Sequence, residues 1–180
     1  MATAIAFIRG INVGGKSKLP MKDLVGILDG IGIHGAVTYL QSGNVAFRCA
    51  RVQQQELARR IGNAIMSHSK FQPQVVVTSI QEIEHAVAAN PYPEARQDPK
   101  TLHLWFLTDL PANPDLLKLN ELKSDTEKFE LHRKIFYLHT PDGLGQSRLA
   151  NSVEKCVGVT ATARNWRTVT KTLQMAWDLA

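Results

Sequence analysis

Val37-Thr38-Tyr39-Leu40-Gln41-Ser42-Gly43-Asn44-Val45-Ala46-Phe47 is the stretch whose reading decides the fold. Val37, Tyr39 and Gln41 alternate up to Ser42-Gly43-Asn44, and Val45 and Phe47 alternate away from it, the period-2 pattern of two strands. Gly43-Asn44 between them predicts a two-residue hairpin turn. So short a connection forces antiparallel pairing, because parallel neighbours need a crossover of a dozen residues or more. The hairpin therefore interrupts any alternating βαβα order and points to an α+β chain.

Upstream, Thr3 to Arg9 is apolar on both faces, with Ile5 and Phe7 opposed by Ala4, Ala6 and Ile8, as in a strand covered on both sides. A loop follows from Gly10 to Leu19. Pro20 suits the first residue of a helix striped by Met21, Leu24, Val25 and Leu28 and ended by Gly30. Downstream of the hairpin, Leu57, Ile61 and Ile65 predict a helix over about residues 52–69. Val75-Val76-Val77 reads as a short buried strand. Ser79 and Glu82 form a capping box for a helix carrying Ile80, Ile83 and Val87. The polar stretch from Asn90 to Lys100, with Pro91, Pro93 and Pro99, is the best internal boundary.

After that boundary the order repeats. A strand from Thr101 to Thr108 leads to a helix entered at Asn113-Pro114 and carrying Leu116, Leu117 and Leu119. Two short strands follow, about residues 127–131 and 134–139. Pro141 to Gly145 is a turn, Ser147 caps a short helix ending at Gly158, and Trp166, Val169, Leu173, Ala176 and Trp177 stripe a last helix. The expected fold is α+β: two ferredoxin-like βαββα halves with antiparallel sheets and helices packed on them, residues 1–90 and 100–180, the last helix in the second half. The two halves are expected to form one compact unit.

The 180 residues include 44% hydrophobic and 21% charged side chains, the balance of an ordered globular chain. The apolar run from Ala2 to Ile8 has no preceding positive charge and is followed at once by Arg9, so it reads as a strand and not as a signal peptide. No apolar stretch approaches the ~20 residues of a membrane span. Cys49 and Cys156 lack metal or disulfide spacing. These features lead to the expectation of a cytoplasmic protein with no membrane partner; oligomeric state leaves no mark on the sequence.

The net charge of +5 is unevenly placed. Residues 9–22 hold Arg9, Lys16, Lys18 and Lys22 without an acid. Residues 145–171 hold Arg148, Lys155, Arg164, Arg167 and Lys171 against Glu154 alone, so each segment is +4 and the remainder −3. Clustering of this kind implies an anionic partner.

Gly10-Ile11-Asn12-Val13-Gly14-Gly15-Lys16-Ser17 satisfies GxxxxGK[ST] after an apolar strand, and Leu104 to Asp109 resembles a strand with a magnesium-binding aspartate. Two features oppose a nucleotide-hydrolysing P-loop. The helix is predicted to begin at Pro20 instead of at the glycine-lysine pair, and the Gly43 hairpin breaks the parallel order. The loop reads better as a flexible basic segment offering N–H groups and lysines to an anion. At the other end, Asn165 is an N-cap candidate, so Arg164, Arg167 and free N–H groups would gather positive potential at the start of the last helix. Six histidines are scattered; His103, His132 and His139 fall on strands, without metal-binding spacing. No nucleophile, base and orienting acid can be assembled.

Arg9 to Lys16, then Tyr39-Leu40-Gln41-Ser42-Gly43-Asn44-Val45, then Ala163-Arg164-Asn165-Trp166-Arg167-Thr168-Val169-Thr170-Lys171, in that order, closely resemble a bacterial family, domain of unknown function 1697. The resemblance implies an α+β unit with ferredoxin-like parts and brings no activity. It also implies that position 17 is commonly asparagine, which weakens a magnesium-binding role for Ser17. The ligand-binding candidates are Arg9, Asn12, Gly14, Gly15, Lys16, Ser17, Lys18, Ser42, Asn44, Arg164, Asn165, Trp166, Arg167 and Lys171, with no catalytic residue, metal or cofactor among the expectations. The expected function is binding of a phosphate-bearing small molecule or nucleic acid. A P-loop phosphotransferase or hydrolase and a protein-interaction module are the alternatives.

Overall fold

A computed structural model describes residues 1–15 and 17–180, so Lys16, a binding candidate, lies outside the described residues. The chain forms two compact units, Met1–Val87 with Thr170–Ala180, and Ala88–Val169. Against the expected division, residues 170–180 count with the first unit.

In the first unit the order is β1 (Ala2–Ile8), α1 (Met21–Gly30), β2 (Val37–Tyr39), β3 (Asn44–Cys49), α2 (Gln54–Ser69), β4 (Val75–Ser79) and α3 (Ile80–Ala88). The strands lie in the order β2-β3-β1-β4, each neighbour antiparallel. One face of β1 presents Ala4, Ala6 and Ile8 to a core completed by Leu24 and Leu28 of α1 and Leu57, Ile61 and Ile65 of α2. The alternate positions Ile5 and Phe7 are also fully buried. That explains why the strand lacks a polar face. Pro20 is the N-cap of α1, its carbonyl accepting from Leu24 N at 3.0 Å, and its ring pre-sets the turn into the helix. The capping box of α3 is reciprocal: Ser79 N donates to Glu82 Oε2 at 2.9 Å and Glu82 N to Ser79 Oγ at 3.2 Å.

The second unit repeats the topology with β5 (Leu102–Leu107), α4 (Leu116–Leu122), β6 (Lys128–His132), β7 (Ile135–His139), α5 (Val153–Val157) and β8 (Ala161–Asn165), in the order β6-β7-β5-β8 and again antiparallel. Both sheets are ferredoxin-like. Trp105, Leu107, Phe136, Leu138 and Ala161 share a core with Leu119 of α4 and Val153 and Val157 of α5. The last helix, α6 (Trp166–Leu179), follows β8 directly.

Five local expectations are corrected. The first hairpin turn spans residues 40–43, because Tyr39 pairs with Asn44; Asn44 opens β3 and is not a turn residue. The N-cap of α4 is Asp115, whose Oδ1 accepts from Lys118 N at 2.9 Å, and of its leucines Leu119 is buried while Leu117 is 81% exposed. Trp177 is half-exposed on α6, its indole donating to Glu84 Oε1 at 2.6 Å, and so does not lie in the buried stripe. In addition, β8 is a strand the sequence reading missed, so the second unit is βαββαβ and not βαββα. Ser147 Oγ accepts from Ala150 N at 2.9 Å just ahead of a 3-10 turn, Ala150–Ser152, but the N-cap of α5 is Ser152 and not Ser147; the helix ends as expected at Gly158, in a left-handed conformation.

Candidate functional site

The glycine-rich loop and the hairpin turn, two of the three motifs, form one assembly. Asn12 is its brace. Its Nδ2 donates to the carbonyls of Leu19 and Gln41, both at 2.8 Å, and its Oδ1 accepts from Leu19 N at 2.8 Å. Gly43 closes the other side: its carbonyl accepts from Ile8 N at 2.8 Å, and it is packed so tightly on Ile8 and Ile11 that a Cβ would lie 2.8 Å from Ile8 Cβ. Asn44 is fully buried and holds the turn from inside, its Nδ2 donating to Tyr39 O at 2.9 Å and Ser42 Oγ at 3.0 Å. Asn12, Ser42 and Asn44 thus bind other parts of the chain.

Within the loop, φ is positive at Gly10 (76°), Asn12 (56°), Gly14 (61°), Gly15 (74°) and Ser17 (52°), with Ile11 and Val13 of ordinary sign between them. Over residues 10–14 this alternation is the backbone pattern of an anion-binding nest, in which successive N–H groups turn toward one side. Glycine at 14 and 15 is required by conformation alone, since a Cβ built on either meets nothing within 4 Å. Val13, Gly14 and Gly15 are exposed, as are Arg9 and Lys18, and Lys18 makes no side-chain bond among the described residues. The Ser17 carbonyl accepts from Asn12 N at 3.1 Å, which folds the loop back on itself. Helix α1 starts at Met21, well past the glycine-lysine pair, and β1 has antiparallel neighbours on both sides.

The third motif begins in the second unit. Arg164 lies on β8 opposite Leu104, its guanidinium largely buried and donating from Nη1 to Thr162 Oγ1 and the Ala163 carbonyl, both at 2.8 Å. Burial pulls its pKa down to about 10. Asn165 caps α6, its Oδ1 accepting from Thr168 N at 2.9 Å. Trp166 is buried, and the Arg96 guanidinium sits 5.9 Å from its ring centroid, a cation–π contact that sequence reading could not find because Arg96 is 70 residues upstream. Arg167 is exposed on the first turn of α6; Lys171, also exposed, belongs to the first unit. Asp109, the magnesium candidate, caps its own turn through Leu110 N and lies in the second unit, whereas the glycine loop is in the first.

Among the described residues no group of three or more His, Cys, Asp or Glu side chains could hold a metal ion. No helix is long and apolar enough to cross a membrane. His103 and His139 are side chains of another kind: each has a buried Nδ1 without a hydrogen-bond partner among the described residues. Burial drives the His103 pKa down to about 4, and burial, partly offset by Glu94, lowers that of His139.

A family model described as protein of unknown function (DUF1697) matches residues 1–137, which takes in the first two motifs and stops short of the third. Among solved structures, the conserved bacterial protein SP0830 from Streptococcus pneumoniae matches with a TM-score of 0.73 at 22% identity, over 97% of this chain and 98% of that one. That likeness establishes the fold. No curated protein matches the chain significantly.

Proposed function

We propose, for a chain that belongs to the DUF1697 family, that the glycine-rich loop of the first unit binds a phosphate-bearing ligand, a nucleotide-like small molecule or a short stretch of nucleic acid. The alternation of positive φ at Gly10, Asn12 and Gly14, continued into positive φ at Gly15, carries the reading. Such a backbone offers N–H groups within a stretch of sequence, residues 9–22, that carries Arg9, Lys16, Lys18 and Lys22 and no acid. Asn12 and Gly43 hold that shape in advance, which lowers the ordering cost of binding. The pattern demands no hydroxyl at position 17 and no helix start at Lys16, both of which a P-loop requires.

The test is a thermal-shift and calorimetric screen of inorganic phosphate, nucleotides, sugar phosphates and short RNA on wild type, Lys16→Ala and Lys18→Ala. A ligand at about 100 times its dissociation constant adds roughly 2.7 kcal/mol, or about 5–10 °C in Tm for a chain this long. Nucleic acid held by about four cations should show a log–log salt slope near −3 to −4. If no phosphate compound shifts Tm, or if neither lysine variant weakens binding, the reading is wrong. Magnesium-dependent ATP or GTP turnover abolished by Lys16→Ala would replace it with the phosphotransferase alternative.

A further inference from the structure

We propose that the second unit carries a separate site for a small zwitterion, one anionic group and one protonated amine on the same molecule, in the pocket between the end of α4 and the turn after β7. The pocket holds about 370 Å³, room for an amino acid or a dipeptide. Its charged wall is made of Glu121, Lys123, Glu127, Asp142 and Arg148, brought together from stretches that sequence alone gives no reason to join.

The two signs are in different states. Each acid already has a donor: Glu121 takes Lys118 Nζ at 2.9 Å, Glu127 Oε2 takes Ser124 N at 2.9 Å, and Asp142 takes the Thr126 hydroxyl. Neither Lys123 nor Arg148 makes a side-chain hydrogen bond or ion pair among the described residues. Two unmatched cations on one pocket wall call for an anionic group, and a guanidinium suits a planar carboxylate. With Glu121 neutralised by Lys118, Glu127 and Asp142 stand against Lys123 and Arg148, and such a balanced wall suits a molecule carrying both signs better than a dianion such as a phosphate ester.

Glu127 supplies the second requirement. Its residue is only 7% exposed, and its other oxygen, Oε1, accepts nothing among the described residues. A carboxylate oxygen left without a protein donor gains most from a charged one, which a ligand amine provides. Ser147 Oγ accepts from Ala150 N and so keeps its own O–H to give to a ligand. A molecule with only one of the two charges satisfies one side of this wall and is repelled by the other.

The experiment titrates the full chain with free α-amino acids and dipeptides by calorimetry and thermal shift, alongside their C-terminal amides and N-acetyl derivatives, with inorganic phosphate as a competitor. At least one zwitterion should bind below roughly 10 mM, and removal of either charge should weaken it about tenfold or more. Arg148→Ala and Asp142→Asn alter exposed side chains, so both should fold, and each should weaken binding by a similar factor. The proposal is overturned if no zwitterion binds, if the amides or N-acetyl forms bind as well as their parents, if phosphate displaces the ligand, or if both variants bind like wild type. Because the glycine loop is in the other unit, Lys18→Ala should leave zwitterion binding unchanged. Failure here therefore says nothing against the phosphate reading, and the reverse also holds.

Discussion

Substitution at Gly43 separates what a glycine does for backbone shape from what it does for space. Gly43 sits at φ 73°, and an added Cβ would stand 2.8 Å from Ile8 Cβ, 2.9 Å from Ile11 Cδ1 and 2.9 Å from the Ile8 carbonyl. Ile8 and Ile11 are fully buried, and Ile8 is fixed by its pairing with Val75, so neither can retreat cheaply. The left-handed conformation costs a non-glycine residue about 1–2 kcal/mol and overpacking a close-packed core about 1–3 kcal/mol. Gly43→Ala should therefore lose about 2–5 kcal/mol, or roughly 4–20 °C in Tm at this chain length. Gly14→Ala, at φ 61° but facing open space, should lose only the conformational part, about 1–2 kcal/mol. Gly26→Ala, exposed inside α1 with ordinary φ and nothing within 4 Å, should gain about 0.5–1 kcal/mol. The order in thermal or urea unfolding is then Gly26→Ala, wild type, Gly14→Ala, Gly43→Ala. A Gly43→Ala protein melting within a degree of wild type, or level with Gly14→Ala, would refute the reasoning.

Three further outcomes are expected. His103 has its pKa depressed to about 4 by burial, against 6.5 when exposed, so the fold favours the neutral ring: its contribution is complete above pH 6.5 and is lost as pH falls toward 4, up to about 3 kcal/mol. Urea midpoints from pH 7 to 4 should fall less steeply for His103→Leu than for wild type, and parallel curves would show that the ring plays no part. Asn12→Ala removes three hydrogen bonds and leaves alanine at φ 56°, so it should lose roughly 2–4 kcal/mol, read as a lower Tm; a change under half a kcal/mol would mean that the brace is not needed. Ser79→Ala opens the capping box of α3 and should cost about 1 kcal/mol in urea unfolding, a loss Ser79→Thr should largely avoid.

Where neighbours in sequence also determine the physics, the elements were legible. The apolar run of β1, the stripes of α1 and α2, the Pro20 helix start, the Ser79–Glu82 box and the Asn165 cap all depend on residues within one or two turns of each other, and all appear in the fold. The antiparallel hairpin follows from chain length between strands, and with it the ferredoxin-like order of the first sheet. The register of that hairpin is a different matter. Gly43-Asn44 suggested a two-residue turn, but burying Asn44 against Tyr39 and Ser42 shifts the turn to residues 40–43, a choice made by packing beneath it. Strand β8 was missed because Ala161 to Asn165 has weak alternation of its own and is a strand through hydrogen bonds to β5, over 50 residues upstream. The same separation governs the candidate sites. Clustering of cations from residue 9 to 22 is visible in the sequence, but that Asn12 is tied to Gln41, that the Arg164 guanidinium is largely withdrawn from water and its pKa lowered, and that Lys123, Glu127 and Arg148 share one pocket are consequences of which strands pair and which faces close. Local chemistry sets what each segment can become; desolvation and long-range pairing, which no segment contains by itself, decide what its side chains meet.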